Sequence, residues 1–294
     1  MSSGTESKIR CRQIGESDKD AVLRLLTRGF PGRPGRYWAR GLRRLGERVI
    51  PAGCPRYGYV LEADGLPVGC VLLLCTTMDV GGEKRTRCNL SSWYVEPEFR
   101  SYASSLILFA LREKHATYVN VSPAPHTWPT VEAQGFRRYC SGLFVAAPAL
   151  NPNSEAVQVR RIRPGAPPSD LISMPEIDLL AAHAGYDCLS LVVHAADGDH
   201  PFIFNPFRIR KGRIPLPGMR LVYCRDIAEF VRFAGPLGRF LLRRGKPCVV
   251  LDSNGLIDGL TGFYTEATGR KYFKGASAPR LGDLVDTELV LFGP

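Results

Sequence analysis

The sequence lacks the long apolar runs and the biased composition that mark membrane and fibrous proteins. No apolar stretch approaches the ~18 to 20 residues of a membrane span, and residues 1–20 lack the apolar core of a secretory signal. Hydrophobic residues make up 45% and charged residues 23%, which excludes a collagenous, wholly disordered or coiled-coil chain. We therefore expect a cytoplasmic globular protein without a membrane span.

Paired cysteine motifs are also missing. The nine cysteines are odd in number, none form a Cys-x-x-Cys pair, and several, such as Cys70 and Cys75, sit inside apolar runs. Buried free thiols have this distribution, whereas disulfide frameworks and zinc sites need regular spacing. We expect a reducing compartment and no metal site.

Acidic residues are in short supply. The 28 Asp and Glu face 39 Lys and Arg, which gives a net charge of +11 and a sequence pI near 9.4. Such a charge favours anionic partners without naming one. Nucleic acid, an anionic membrane surface, an acidic acceptor and a phosphate-rich cofactor all stay open.

The length of 294 residues exceeds the ~100 to 200 residues of a usual domain and predicts two. Apolar periodicity over residues 1–148 gives the order βααβββαβαβ, with Asp64-Gly65 as a hairpin turn and residues 137–148 as the last strand. A linker rich in Pro and Asn follows at 148–155.

The order of secondary-structure elements then begins again near residue 155. Residues 155–294 read as strand, helix, hairpin about Gly198, strand, one helix over 227–245, strand and β-rich ends, with Glu288 in a terminal strand. This order repeats that of residues 1–148 and predicts an internal repeat of domain size. We expect an α/β protein with domains 1–148 and 155–294.

One string carries a family resemblance. In VEPEFRSYASSLIL, Val95, Pro97, Phe99, Arg100 and Leu108 match or nearly match the signature of the GNAT acyltransferase superfamily, as does a later Gln-Gly-Phe ending at 134–136. The resemblance implies two GNAT-like domains, each a mixed, mostly antiparallel sheet flanked by helices. It also implies acetyl-CoA or another acyl-CoA as cofactor, with the backbone of Tyr94 and Val95 pairing with the pantetheine arm.

The presumed pyrophosphate loop departs from the family pattern. Its three glycine positions are Ser101, Ala103 and Ser105. Glycine lets a backbone approach a ligand closely, but amide groups and the helix N-terminus supply the attraction, and small residues can keep that geometry. The resemblance therefore still assigns CoA binding here to a set of six residues. They are Arg100, Ser101, Tyr102, Ala103, Ser104 and Ser105.

The catalytic positions depart too. The resemblance aligns the family's strand glutamate with Ser92 or its neighbour Ser91, and the family's tyrosine with Val131. Neither replacement titrates near neutral pH, as a general base should. The candidates for chemistry are Ser92, His126, Tyr139 and Cys140. Direct attack by the acceptor, driven by proximity and orientation, would need less from the protein.

The second half offers a contrast at the matching junction. Asp226 and Glu229 fit a capping box at the start of a helix. Carboxylates at that point would satisfy the helix amides and repel a pyrophosphate. We therefore expect only the first half to bind cofactor.

Two basic segments remain. Arginines at helical spacing form one predicted basic face, which the resemblance places at the acceptor wall. They are Arg36, Arg40, Arg43, Arg44 and Arg48, the first three being the wall candidates. A second run lacks the aromatic residues of a stacking platform, so a nucleic-acid partner is disfavoured. It comprises Arg208, Arg210, Lys211 and Arg213.

Together these observations favour an acyl-CoA-dependent acyltransferase that modifies an amine or hydroxyl of a small molecule or protein, with an acidic acceptor suiting the charge. The alternative is a catalytically silent GNAT-like module that binds CoA or a protein partner. The sequence leaves the acceptor, the acyl length and the oligomeric state open.

Overall fold

The computed structural model describes residues 8–80, 82–153, 155–165, 176–211 and 214–293. The chain forms two compact units. The first unit comprises Met1–Asn120 and Phe273–Ala278, and the second comprises Val121–Tyr272 and Pro279–Pro294.

Fourteen strands within the described ranges form two mixed sheets of seven strands each. The strands are β1 Ile9–Gln13, β2 Gly58–Ala63, β3 Leu66–Val80, β4 Glu83–Val95, β5 Thr117–Asn120, β6 Arg137–Cys140, β7 Gly142–Ala146, β8 Gln158–Ile162, β9 Leu189–Ala195, β10 Gly198–Lys211, β11 Ile214–Tyr223, β12 Cys248–Ser253, β13 Gly262–Thr265 and β14 Lys271–Lys274. The sheet orders are β1-β2-β3-β4-β5-β14-β6 and β13-β7-β12-β11-β10-β9-β8.

The helices flank these sheets. They are α1 Lys19–Gly29, α2 Gly35–Glu47, α3 Ala103–Ala110, α4 Trp128–Ala133, α5 Ile177–Gly185, α6 Ile227–Arg232, α7 Ala234–Leu242 and α8 Glu288–Leu291. Among the described residues, no helix is both long and apolar enough to cross a membrane.

The strand pattern of the first half recurs in the second. Strands β1 to β4 pair antiparallel and β4 pairs parallel with β5. In the same way, β8 to β11 pair antiparallel and β11 pairs parallel with β12. The predicted α/β class and mixed, mostly antiparallel sheets are confirmed.

The predicted hairpin between β2 and β3 is present. Asp64 and Gly65 have φ values of 49° and 84°, and two positive φ angles are what a tight primed turn between twisted strands requires. The second hairpin also forms, with Gly198 opposite Ala195 at the start of the β9–β10 pairing.

Three local predictions are wrong. The strand expected at 137–148 is two strands in different sheets, β6 and β7. The helix expected at 227–245 is interrupted at Phe233, close before Pro236, which cannot donate a backbone hydrogen bond. Glu288 begins a helix, α8, instead of lying in a terminal strand, because Thr287 precedes it with extended backbone and the turns after it close as helix.

Aromatic side chains dominate the core of the second unit. Phe202, Phe204, Phe230 and Phe233 are fully buried and their rings contact one another across β10 and the α6–α7 junction. Each such side chain contributes about 1.5 to 3 kcal/mol through burial. This packing holds the α6–α7 junction against β10.

Candidate functional site

A bulge interrupts β4 close to its end. Leu72 lies opposite Ser91 and Cys70 lies opposite Tyr94, so Ser92 and Trp93 share a single position on β3. Ser92 has a φ of 55°, a left-handed conformation that is uncommon for a residue with a side chain. Its hydroxyl lies 2.8 Å from that of Ser91. A bulge of this kind bends the strand and increases its twist.

The bulge follows the point where β4 stops pairing with β5. The last recorded pair joins Asn89 to Val119. The buried Asn89 side chain donates to the carbonyls of Leu90 and Val119, at 2.9 and 3.3 Å, and so fixes this point. Beyond it β4 continues to Val95. Its edge there has the geometry to pair with an extended ligand that carries amide groups.

A short polar chain supports this edge. The Tyr94 hydroxyl donates to Glu96 at 2.9 Å, and the Glu96 carboxylate pairs with Arg28 at 2.8 Å. Burial and the Glu96 hydrogen bond raise the pKa of Tyr94. Sequence reasoning missed Arg28, whose position in the last turn of α1 was the available signal. The positive charge of Arg28 therefore compensates the negative charge of Glu96 just before the predicted pyrophosphate loop.

Trp93 adds a donor to the bulge. Its indole nitrogen is buried, and among the described residues it has no hydrogen-bond partner. An unmatched buried donor is costly. A ligand carbonyl within reach would satisfy it.

The predicted pyrophosphate loop is already helical. Pro97–Tyr102 forms a 3-10 helix that runs into α3, since Tyr102 has helical dihedral angles. The amide of Phe99 donates to the Glu96 carbonyl, and that of Ala103 donates to the Arg100 carbonyl. Ser101, Ala103 and Ser105 are not among the residues with positive φ, so this backbone does not require glycine at the positions where the family has it.

Exposed side chains remain to hold an anion at this loop. Arg100, Ser101, Tyr102, Ser104 and Ser105 are exposed and Ala103 is half-buried. Arg100 supplies the positive charge, and a guanidinium is well suited to phosphate oxygens. At this loop, exposed side chains rather than backbone amides are therefore the groups that an anion could contact.

The matching edge of the second unit is closed by its own chain. Beyond the last β11–β12 pair at Arg220, the Leu284 amide donates to Val222 at 2.8 Å and the Cys224 amide donates to Gly282 at 3.1 Å. The segment around Gly282 therefore pairs with β11 along the edge that corresponds to the end of β4.

The helix after β11 is capped by Asp226, but the predicted capping box with Glu229 does not form. The Asp226 carboxylate accepts from the Ala228 amide at 2.9 Å. The Glu229 carboxylate lies 3.2 Å from the His200 ring. In a capping box it would instead accept a hydrogen bond from the backbone amide of Asp226. The two carboxylates together disfavour an anion at this helix.

The catalytic candidates lie in different parts of the fold. Ser92 is in the bulge of the first unit, whereas His126, Tyr139 and Cys140 belong to the second. His126 is exposed on a single turn, Tyr139 is half-buried on β6 and Cys140 is fully buried. Burial and the nearby Asp252 charge raise the pKa of Cys140 to about 11. A neutral, buried thiol suits neither a base nor a nucleophile.

The predicted basic face of α2 is smaller than the spacing implied. Arg36 and Arg43 are exposed and Arg40 is half-buried, but Arg44 and Arg48 are buried. The two buried arginines belong to the side of α2 that packs inward. Arg43 also pairs with Glu47 at 3.2 Å.

A groove of about 400 Å³ lies between α1 and α2. Its charged lining is mixed and comprises Glu16, Lys19, Asp20, Arg43 and Glu47. Such a lining does not select for an acidic ligand. Of the second basic run, Arg213 and the side chains of Arg210 and Lys211 lie outside the described residues.

Comparison with solved structures identifies the fold. The chain is similar to a GCN5-related N-acetyltransferase from Anabaena variabilis, with a TM-score of 0.62 and 13% identity over 91% of this chain and 72% of that one. It is similar to one from Kribbella flavida, with a TM-score of 0.58 and 15% identity over 92% and 72%. Eis1 from Mycobacterium abscessus gives a TM-score of 0.52 and 11% identity over 94% and 74%.

The fold is therefore that of the GNAT superfamily over a chain of two units, as the sequence predicts. No family model matches the sequence, and no curated protein matches it. At these identities the likeness establishes the fold alone.

Proposed function

We propose that the protein is an acyl-CoA-dependent acyltransferase whose first unit binds acetyl-CoA or another acyl-CoA along the part of β4 that extends past its pairing with β5. The pantetheine arm would pair with the backbone of Tyr94 and Val95. The pyrophosphate would lie against Arg100 and the hydroxyls of the following loop.

The contrast between the two matching strand edges carries this proposal. Both halves have a bulged strand, β4 at Ser92 and β11 at Val222, whose pairing with its parallel neighbour ends before the bulge. The edge of β11 is paired with backbone amides and carbonyls around Gly282. In the second half, such an edge therefore binds an extended chain that carries amide groups. The edge of β4 fits the same ligand type, because pantetheine is extended and contains two amide groups. Unmatched Trp93 and exposed Arg100 add donors there.

The residues of this site suit transfer by direct attack. A bound thioester supplies an activated acyl group, so an amine or hydroxyl can form the new bond to the acyl carbon as the bond to sulfur breaks. The acceptor's proton then passes to the departing thiolate, which leaves as the CoA thiol. Ser92 and Ser91 offer hydroxyls at the bulge, 2.8 Å apart. They can orient an acceptor but cannot hold its proton as a base near neutral pH. Most of the acceleration would then come from proximity and orientation.

The family resemblance assigns the acceptor wall to α2, so the groove between α1 and α2, which Arg43 lines, is the proposed place for the acceptor. Because that groove mixes carboxylates with Lys19 and Arg43, it fits a polar acceptor carrying an amine at least as well as an acidic one. Arg36 and Arg40, the other predicted wall residues, are absent from its lining within the described residues.

A silent CoA-binding module is the second candidate. The observation in its favour is the hydroxyl pair at the bulge, where the family resemblance places a glutamate. The two functions share the binding site and differ in turnover.

Calorimetric titration with CoA, acetyl-CoA and a long-chain acyl-CoA tests the shared claim. It is run at two salt concentrations, because exposed charge attraction alone is screened by salt. We expect saturable 1:1 binding that persists at the higher salt and falls at least about tenfold in Arg100→Glu, one lost charge-assisted contact being worth about 1.5 kcal/mol or more.

The matched control is Arg24→Glu, which makes the same charge change at an exposed position on α1. It should bind as the parent does. If no thioester binds, or if both variants weaken binding equally, the proposed site is wrong. Thiol release with an amine panel then separates an acyltransferase from a silent module.

A further inference from the structure

Three cysteines far apart in sequence meet inside the first unit. Cys54 lies in the loop between α2 and β2, while Cys75 on β3 and Cys88 on β4 lie directly opposite each other. The three sulfur atoms all lie within 4.8 Å of one another. The Cys75 and Cys88 sulfurs are 2.7 Å apart.

This cluster is separate from the proposed acyl-CoA edge. Cys88 and Asn89 are neighbours on β4, and consecutive strand residues point to opposite faces of a sheet. The Asn89 side chain lies at the divergence from β5, so the sulfurs lie on the other face. Nothing in the proposed transfer reaction uses them.

The geometry brings three sulfurs close enough to share one thiophilic ion. With Zn–S bonds of about 2.3 Å, tetrahedral coordination places thiolate sulfurs about 3.8 Å apart. The 4.8 Å limit on the cluster accommodates this spacing, and the Cys75 and Cys88 sulfurs, 2.7 Å apart, would separate by about 1 Å on loading. Zn²⁺ and Cu⁺ both prefer thiolate ligands. A disulfide between Cys75 and Cys88 would involve only two of the sulfurs and would not account for the position of Cys54.

The surroundings provide access and charge. Cys75 and Cys88 are 1% exposed, whereas Cys54 is half-buried, so an ion would enter past Cys54. The Cys88 hydrogen bond and burial raise the pKa of Cys75, and the charge of the buried Arg48 partly opposes this rise, so the thiol keeps its proton until an ion displaces it. Arg56 donates to the carbonyls of Gly46 and Arg48 at 2.8 and 2.9 Å and thereby holds the end of α2 against this loop.

We propose that Cys54, Cys75 and Cys88 form a three-thiolate site for one thiophilic ion, Zn²⁺ or Cu⁺. On binding, the thiol protons pass to solvent and three metal–sulfur bonds form. The ion ties the loop after α2 to the β3–β4 hairpin. Because the three ligands are far apart in the sequence, no spacing motif predicts this site.

The test uses the full chain, reduced and stripped of metal. Zn²⁺ and Cu⁺ are titrated separately against a competing chelator, and Co²⁺ reports thiolate ligation through its charge-transfer absorption. We expect one equivalent of ion, a melting temperature that rises on loading, and at least about a 100-fold loss of affinity in Cys54→Ser. Metal analysis of the protein as isolated identifies which of the two ions it holds, since affinity alone does not select between them.

Cys54→Ser changes a half-buried loop residue, so it should fold. Cys70→Ala, a fully buried cysteine on the same strand as Cys75, is the matched control and should bind like the parent. Absence of 1:1 binding, equal affinity in Cys54→Ser, or a Cys75–Cys88 disulfide in protein that takes up no ion would each overturn the proposal.

Discussion

Ser92 is the residue at which the backbone of the first unit pays a conformational cost. Its φ of 55° places it in the left-handed region, which costs a residue with a side chain about 1 kcal/mol or more relative to glycine. The surrounding strands hold it there. Such strain at the point where β4 leaves β5 is consistent with a site that must present its backbone.

Replacing Ser92 tests this cost. We expect Ser92→Gly to raise the free energy of unfolding by up to about 1 kcal/mol, and Ser92→Val to lower it by about 1 to 2 kcal/mol, because a β-branched residue is disfavoured at positive φ. Urea unfolding measures both. Ser101→Gly is the control: its backbone is an ordinary helical one, so glycine there should destabilise. Equal loss of stability in both glycine variants would contradict the assigned strain.

The surroundings of Cys140 argue against a catalytic role for this residue. It is 0% exposed and its sulfur contacts the Gly142 carbonyl at 3.2 Å. Because its pKa is raised to about 11, the thiol stays neutral well above physiological pH, and thiolate appears only as the pH approaches that value.

Alkylation of the native protein checks this assignment. Between pH 7 and 9 we expect Cys140 to react with iodoacetamide at least about tenfold more slowly than the half-buried Cys11, since the thiolate is the reactive form. Site-resolved mass spectrometry gives both rates. Comparable rates in the folded protein would restore Cys140 as a candidate nucleophile.

At the scale of elements, the two bulged strands differ in what covers them. The segment that pairs with β11 depends on Gly282, whose φ is 73° and whose added Cβ would lie 2.7 Å from the Cys224 sulfur. Glycine at this point lets the chain approach β11 closely.

Gly282→Ala should therefore lower the free energy of unfolding by about 1 to 3 kcal/mol through backbone strain and crowding. Hydrogen exchange at the Leu284 and Cys224 amides should quicken as their bonds to β11 weaken. Gly255→Ala is the control, since its Cβ would meet nothing within 4 Å. If Gly282→Ala is as stable as Gly255→Ala, the segment is not held as described.

A buried ion pair joins β12 to β14. Lys271 and Asp252 lie 2.7 Å apart with side chains 2% and 3% exposed. Removing one partner leaves an uncompensated buried charge, whereas replacing both with apolar residues is often tolerated.

We accordingly expect Lys271→Met to cost about 3 to 5 kcal/mol and the double variant Lys271→Met, Asp252→Leu to recover most of that loss. Denaturant unfolding of the single and double variants measures the coupling. For comparison, Arg43→Ala breaks the exposed pair with Glu47 and should change stability by less than about 0.5 kcal/mol. Additive losses in the double variant would contradict a coupled pair.

The elements that the sequence predicts well are those with local signals. Asp64-Gly65 and the alternating residues around it specify the β2–β3 hairpin, and Asp226 specifies the start of α6. The split of residues 137–148 between two sheets has no such signal, because both pieces are β-rich and only distant pairing partners separate them. The burial of Arg44 and Arg48 likewise depends on how α2 packs.

At the scale of the whole molecule, the restart of the pattern near residue 155 predicts the repeated strand order, and the string Val95 to Leu108 predicts the GNAT fold. The site was predictable only in part. Tyr94, Val95 and the loop follow from the resemblance, but the bulge at Ser92, the support from Arg28 and the closed edge of β11 arise from contacts between distant residues.

In the whole molecule, we expect acyl-CoA to bind along β4 and not along β11. Amide hydrogen exchange with and without saturating acetyl-CoA tests it most directly, since amides that a bound ligand covers exchange more slowly. With acetyl-CoA bound, we expect the amides of residues 92–105 to exchange more slowly and those of residues 221–226 to exchange at an unchanged rate. Protection confined to 221–226, or no protection in either segment when calorimetry shows saturation, would contradict it.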